Sequence, residues 1–267
     1  MNILRSAALT AFACISATTY SFSAFAVVGG EYLDSQNVIA QSTVGLVSYN
    51  EGNTAGYWCT GSIVAPHLIL TAAHCLSPDR KITKIIFSND LRDEKAFSVF
   101  ASQRVPNPKF AENARTKGDG WDLGIVRFEE EIPAGFQPIR IPEKKLYSKL
   151  LSYDSTYWLA GFGDHSYFDS SSEFKLKSAT LQFMQYYEKR NDIEFFQRTS
   201  GALCNGDSGG PLFVFNGDVP YLVGVASVSH SGLTLPETCG DTSTFTAFGN
   251  KEVRKWLESF GVQFVAN

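Results

Sequence analysis

Hydrophobic positions in this chain fall in short β-branched and aromatic runs, separated by Gly, Pro, Asn or Asp, and almost never at helical spacing. Val44–Tyr49, Trp58–Ala65, Leu68–Ala72, Ile82–Phe87 and Leu123–Phe128 are such runs. Later ones include Tyr157–Ala160, Ala179–Tyr187, Pro211–Phe215 and Tyr221–Val228. These residue types suit a pleated, half-buried surface, and the turn residues between them end each run early. The pattern predicts an all-β sandwich or barrel. It predicts one helix, at the end of the chain. Asn250 is its N-cap, Val253, Trp256, Leu257 and Phe260 fall at i, i+3, i+4 and i+7, and Gly261 is its stop. No internal repeat or low-complexity segment interrupts this.

The first 26 residues follow a different pattern. A single positive charge precedes the small and apolar run Ser6–Ile15, a more polar stretch follows, and Ala24-Phe25-Ala26 ends it. This is the pattern of a cleaved secretory signal over residues 1–26, leaving 27–267 as the mature chain. A membrane anchor needs about 20 apolar residues, and here Ser16, Thr18, Thr19 and Ser21 break the run. The expectation is a secreted or periplasmic protein with no stable membrane insertion after cleavage.

Cysteine usage agrees with export. Of five cysteines, Cys14 lies inside the signal, where Ala11-Phe12-Ala13 lacks the leucine-rich lead-in of a lipidated cysteine. Cys59, Cys75, Cys204 and Cys239 remain, an even number that predicts two disulfides with three pairings open. No C-x-x-C spacing or Cys/His cluster suggests zinc, and neither metal nor cofactor is expected. His67, His165 and His230 read as surface or structural residues. Over 267 residues, 44% are hydrophobic, enough for a sizeable core. The formal net charge is −4 with no Lys/Arg cluster, which gives no basis for nucleic acid as a partner.

Three motifs carry candidate chemistry. Thr71-Ala72-Ala73-His74-Cys75 follows an apolar run, Trp121-Asp122-Leu123-Gly124-Ile125-Val126 puts an acid at the start of a buried strand, and Gly206-Asp207-Ser208-Gly209-Gly210-Pro211 surrounds a serine with glycine. A serine hydroxyl is a poor nucleophile until an imidazole takes its proton, and the imidazole needs a carboxylate to fix its tautomer. Each motif alone has a structural explanation. The third also fits the G-x-S-x-G elbow of α/β-hydrolases, but that fold orders Ser, acid, His and alternates strands with helices. Here only His230 follows Ser208, and the alternation is missing.

Together, in the order His, Asp, Ser, the motifs resemble the chymotrypsin/trypsin family of serine proteases, from about Val27 to the C-terminus. The resemblance implies two antiparallel six-stranded β-barrels, with the active site between them and a C-terminal α-helix. It implies His74 as base and then acid, Asp122 as its orienter, Ser208 as nucleophile, and the Gly206 and Ser208 amides as oxyanion hole. It pairs Cys59 with Cys75 and Cys204 with Cys239, and Gly161-Phe162-Gly163 is similar to the family's Gly-Trp-Gly strand. Val27-Val28-Gly29-Gly30 resembles the terminus whose α-ammonium, once freed, pairs with the acid before the nucleophile, here Asp207. Because that motif directly follows Ala24-Phe25-Ala26, signal cleavage itself would create the activating terminus.

The resemblance also implies a substrate pocket based on Ala202, which cannot pair with Lys or Arg as an aspartate would. The segment Val225–Ser229, including Ser227 and Ser229, would carry substrate backbone as an added strand, with Ser243 on the opposite wall. These residues suggest a neutral pocket for small or medium uncharged side chains. Protein or peptide substrates are the expected partners, and a monomer the expected state. The competing readings are a catalytically inactive homologue acting as a binding protein, and an esterase on the same fold.

Overall fold

The computed structural model describes Val27 and residues 30–50, 56–110, 120–163, 174–197, 201–230 and 239–266. The expected signal, with Cys14, lies outside the described residues, as do Val28, Gly29 and His165. Among the described residues no helix is long and apolar enough to cross a membrane.

After the short β1 (Glu31–Tyr32), the first half of the chain forms β2 (Thr43–Asn50), β3 (Gly56–Ala65), β4 (Leu68–Thr71), β5 (Arg80–Phe87), β6 (Phe97–Phe100), β7 (Gln103–Pro106) and β8 (Gly124–Arg127). They hydrogen bond in the order β6-β5-β2-β3-β4-β8-β7. Seven segments appear where six strands are expected, because β6 and β7 are parts of one run bent at Ala101–Ser102. Ala101 N–H donates to Thr83 on one edge (2.8 Å), and Ser102 N–H to Arg127 on the other (2.8 Å). The sheet therefore curls until both its edges meet the same stretch of chain. Thr43–Ser48 is buried throughout, which explains why β2 reads as a nearly continuous apolar run.

The second half contains β9 (Ile141–Pro142), α1 (Lys144–Leu150), β10 (Tyr157–Gly161), β11 (Lys177–Tyr187), β12 (Asp192–Phe196), β13 (Pro211–Asn216), β14 (Val219–His230), β15 (Thr242–Ala247), α2 (Lys251–Glu258) and β16 (Phe264–Val265). The order β11-β10-β13-β14-β15-β12 closes on itself through β11–β12 pairing, giving a six-stranded barrel, with β1 on the outer side of β11. Closure leaves no unpaired edge within the ring. Phe195 fills its interior, with ring centroids 5.1 Å from Tyr157 and 5.3 Å from Phe245. One cluster of buried apolar side chains runs through both halves, from Leu46 and Ile69 to Leu159 and Phe213.

The C-terminal helix matches the sequence pattern. Asn250 caps α2, its side chain accepting from Glu252 N–H at 2.8 Å, and Gly261 takes a left-handed φ of 92° beyond its end. The sequence pattern did not predict α1. It has no side-chain cap, and it is held by Leu146, Tyr147 and Leu150 buried against the body. The Tyr147 hydroxyl donates to Val223 O (2.9 Å) on β14 and accepts from Phe248 N–H (2.8 Å). Burial pushes that phenol well above the ordinary tyrosine range. Removing the hydroxyl strands two buried backbone groups. Tyr147→Phe is expected to lower unfolding free energy by about 1–3 kcal/mol, read as a lower urea midpoint at unchanged slope.

Candidate active site

The register of the first sheet brings His74 and Asp122 to one end. In the antiparallel β4–β8 pair Thr71 lies opposite Gly124, so the chain leaving β4 and the chain entering β8 meet. A turn of 3₁₀-helix, Ala73–Leu76, carries His74 just beyond β4, and Cys75 within it is bonded to Cys59 on β3. Asp122 lies two residues before β8. Its Oδ2 lies 2.8 Å from His74 Nδ1 and its Oδ1 accepts from His74 N–H at 3.0 Å.

The third donor comes from the second barrel. Ser227 Oγ donates to Asp122 Oδ2 at 2.6 Å. The β14–β15 register shifts between Ala226 and Val228, and a bulge of this kind re-aims the residue it contains. The hydroxyl of Ser227 is therefore engaged with Asp122, leaving its backbone for other work. Both His74 and Asp122 are buried, at 8% and 3% exposure. Burial, the largest influence, would raise the Asp122 carboxyl. The charge of His74 and the hydrogen bonds from His74 and Ser227 outweigh it and hold the carboxyl below its usual range. An ionised Asp122 accepts only, so Nδ1 of His74 carries a proton, and in the neutral form of the ring Nε2 is the nitrogen with the lone pair.

Ser208 sits in a turn stitched to both halves. Its carbonyl accepts from Thr60 N–H on β3 (2.8 Å), and Gly209 N–H donates to Ala226 O on β14 (2.8 Å). Gly209 has φ 81°, and a Cβ there would collide with Thr60 and Thr71, so only glycine fits. Asp207 is fully buried beneath the turn, accepting from Gly163 N–H (2.7 Å) and Cys204 N–H (2.9 Å). A Cβ on Gly161 or Gly163 would strike its carboxylate, which accounts for both glycines of Gly161-Phe162-Gly163. Among the described residues neither Gly206 N–H nor Ser208 N–H donates to a protein acceptor. Two free amides beside a serine can receive an anionic oxygen. His74, Gly206 and Ser208 line one cleft of about 360 Å³ with Cys59, Tyr57 and Arg80.

Thr60 went unnoticed in the sequence, where a threonine in a strand of mixed character carries no signal. Its hydroxyl donates to Gly206 O (2.9 Å) and lies 3.3 Å from Phe162 N–H, which donates to it. It thus ties the glycine turn to the first sheet. Gln197 was also missed. Its Oε1 accepts from Leu203 N–H (2.6 Å), and its Nε2 donates to Cys239 O (2.9 Å) and Ser229 Oγ (3.3 Å).

The remaining expected residues are placed as follows. Ala202 is buried, and Cys204 is bonded to Cys239. Ser229 Oγ donates to Cys239 O. Ser243 lies opposite Ser229 in the β14–β15 register and is fully buried, its Oγ without a hydrogen-bond partner among the described residues. Val27 is fully buried. The His67 ring meets Glu130 O (2.8 Å) and the His230 ring meets Thr244 Oγ1 (3.1 Å). Cys59, His74 and Cys75 do place potential ligand atoms within 4.8 Å of one another. The two sulfurs are bonded to each other, so neither offers a thiolate, and the cluster is no zinc site as built.

The sequence profile of the family described as Trypsin matches residues 29–251. The chain belongs to the trypsin family. Among its relatives, urokinase-type plasminogen activator of Gallus gallus is 25% identical over 231 residues, covering 76% of this chain and 51% of the relative. Melanization protease 1 of Drosophila melanogaster is 26% identical over 73% of this chain and 56% of its own length. Lectizyme of Glossina austeni is 27% identical over 80% of each. The chain thus spans about half the length of the first two. With family and geometry in hand, the Asp122 network yields a pH test. A carboxyl held low in the fold stabilises fully above its unfolded value of about 3.9 and loses this as pH falls through the folded value. Ser227→Ala removes one donor and moves the folded value up. It is expected to cost about 1.5–3 kcal/mol at pH 7 and to shift acid unfolding, followed by fluorescence, to higher pH. An unmoved acid midpoint contradicts the network.

Proposed function

We propose that the chain is an exported serine endopeptidase that cuts peptide bonds through an acyl-enzyme, with His74, Asp122 and Ser208 as its triad. The observation that carries this is the Asp122 carboxylate holding Nδ1 of His74, with Ser208 and two free amides on the same cleft. Nε2 of His74 takes the Ser208 proton as Oγ attacks the substrate carbonyl carbon. The C=O electron pair moves onto oxygen, where the Gly206 and Ser208 amides meet it, each such donor contributing about 2.7–4 kcal/mol. The imidazolium, stabilised by Asp122, then protonates the leaving amine as the C–N bond breaks. Water repeats the sequence on the resulting ester and frees Ser208. The inactive-homologue reading is disfavoured, because the residues this chemistry needs are all present.

The domain layout follows the same reading: a signal over residues 1–26, then the protease from Val27. Val27 and Asp207 are both fully buried, which supports a pairing of a new α-ammonium with Asp207 that orders the Gly206 turn on export. The specificity pocket is neutral, based on Ala202, with Ser229 and Ser243 narrowing it and the backbone of Val225–Ser229 carrying the substrate. Gln197 braces this pocket by joining Leu203 to the Cys239 segment.

The purified exported protein, whose first residue by terminal sequencing is expected to be Val27, provides the test. On peptides differing only before the cut, it should favour small or medium uncharged residues over Arg and Lys. Ser208→Ala should lower kcat by about 10⁵–10⁶-fold with the fold retained. A Ser208→Ala protein that digests peptides at the native rate refutes the reading, and turnover of esters alone favours the esterase.

A further inference from the structure

The cleft that holds His74 and Ser208 also holds a cation that the proposed chemistry does not use. Arg80 opens β5, and its guanidinium carbon lies 3.9 Å from the centroid of the Tyr57 ring. One Nη donates a long 3.4 Å bond to His74 O, and Nε is buried with no acceptor among the described residues. Among the described residues no carboxylate comes within salt-bridge distance of it; the adjacent, exposed Asp79 feels its charge without pairing with it. Buried donors are ordinarily satisfied, and a guanidinium stacked on an aromatic face keeps its charge and its forked donors. In a chain of net charge −4 with no basic cluster, this cation is no part of a general basic surface.

Its position decides what it can meet. Ser227–Ser229 of β14 takes no part in lining this cleft, which runs from Ser208 over Gly206 and Cys59 to Tyr57 and Trp58. If the acyl half of a substrate adds along β14, the amine half leaves across this face. Its walls include Trp58 and Phe174, with ring centroids 4.6 Å apart. Apolar walls lower the local dielectric and strengthen any charge pair formed between them. A carboxylate matches the guanidinium fork in both charge and planar geometry, whereas an amide of the same shape lacks the charge.

We propose that Arg80 forms a subsite for an acidic side chain on the leaving-group segment, so that the enzyme prefers Asp or Glu shortly after the bond it cuts. This rests on the endopeptidase reading above. The substrates it selects are polypeptides with an uncharged residue before the cut and an acid just after it.

Paired internally quenched peptides, identical except for Asp or Asn at the first, second or third position after the cut, test this on the mature chain. At one of these positions kcat/KM is expected to favour Asp by about two- to fivefold at low salt. The ratio should fall toward unity in about 1 M salt, where the Debye length is about 3 Å. Arg80→Gln should abolish the preference and Arg80→Lys keep part of it. Each ratio is taken within one protein, so a general effect on His74, whose carbonyl Arg80 touches, cancels. Should Arg80→Gln not fold, the wild-type ratio, its salt response and Arg80→Lys decide. A wild-type ratio of unity at all three positions, or an Asp preference that survives in Arg80→Gln, overturns the subsite. Failure to cut any peptide instead overturns the endopeptidase reading, and the subsite with it.

Discussion

The Asp122 carboxylate accepts from His74 N–H, from the His74 ring and from Ser227 Oγ, and these bonds tie the end of the first sheet to a strand of the second barrel. An ion this deeply buried is costly unless its lone pairs are filled, and here three donors fill them. The consequence reaches beyond stability. While Asp122 stays ionised, the imidazole has one tautomer and one orientation, and the lone pair of Nε2 is left for a proton.

The turn that carries Ser208 obeys the same logic of joining two halves. Ser208 O is held by β3 and Gly209 N–H by β14, while Thr60 fixes the Gly206 carbonyl. The disulfides lie close to these constraints. Cys59–Cys75 closes a loop of 16 residues around His74, and Cys204–Cys239 a loop of 35 beside Ser208. In the chain-entropy account each stabilises by about 3–4 kcal/mol. Stability is concentrated where the side chains must not drift.

Much of this was legible in the sequence because it rests on local pattern. Alternating and β-branched runs marked β2, β3, β4 and β5, and the Asn250 cap with its apolar stripe marked α2. The elements that escaped are short runs of four to seven residues. α1 is a short helix without a capping side chain, held by tertiary burial of Tyr147, and β6, β7, β12 and β15 form because neighbouring strands offer edges. The site divides in the same way. His74, Asp122 and Ser208 stand in local motifs, whereas Thr60 matters through a partner distant in sequence: Thr60 and Gly206 are 146 residues apart. The direction of the Ser227 hydroxyl depends on a bulge, which no residue type announces.

Covalent labelling tests most directly whether His74 activates Ser208. The native protein is expected to take up one equivalent of a fluorophosphonate, located on Ser208 by peptide mass spectrometry, and to lose this reactivity in His74→Ala and on heat unfolding. Equal labelling without the imidazole, or an adduct on a different residue, would contradict the account.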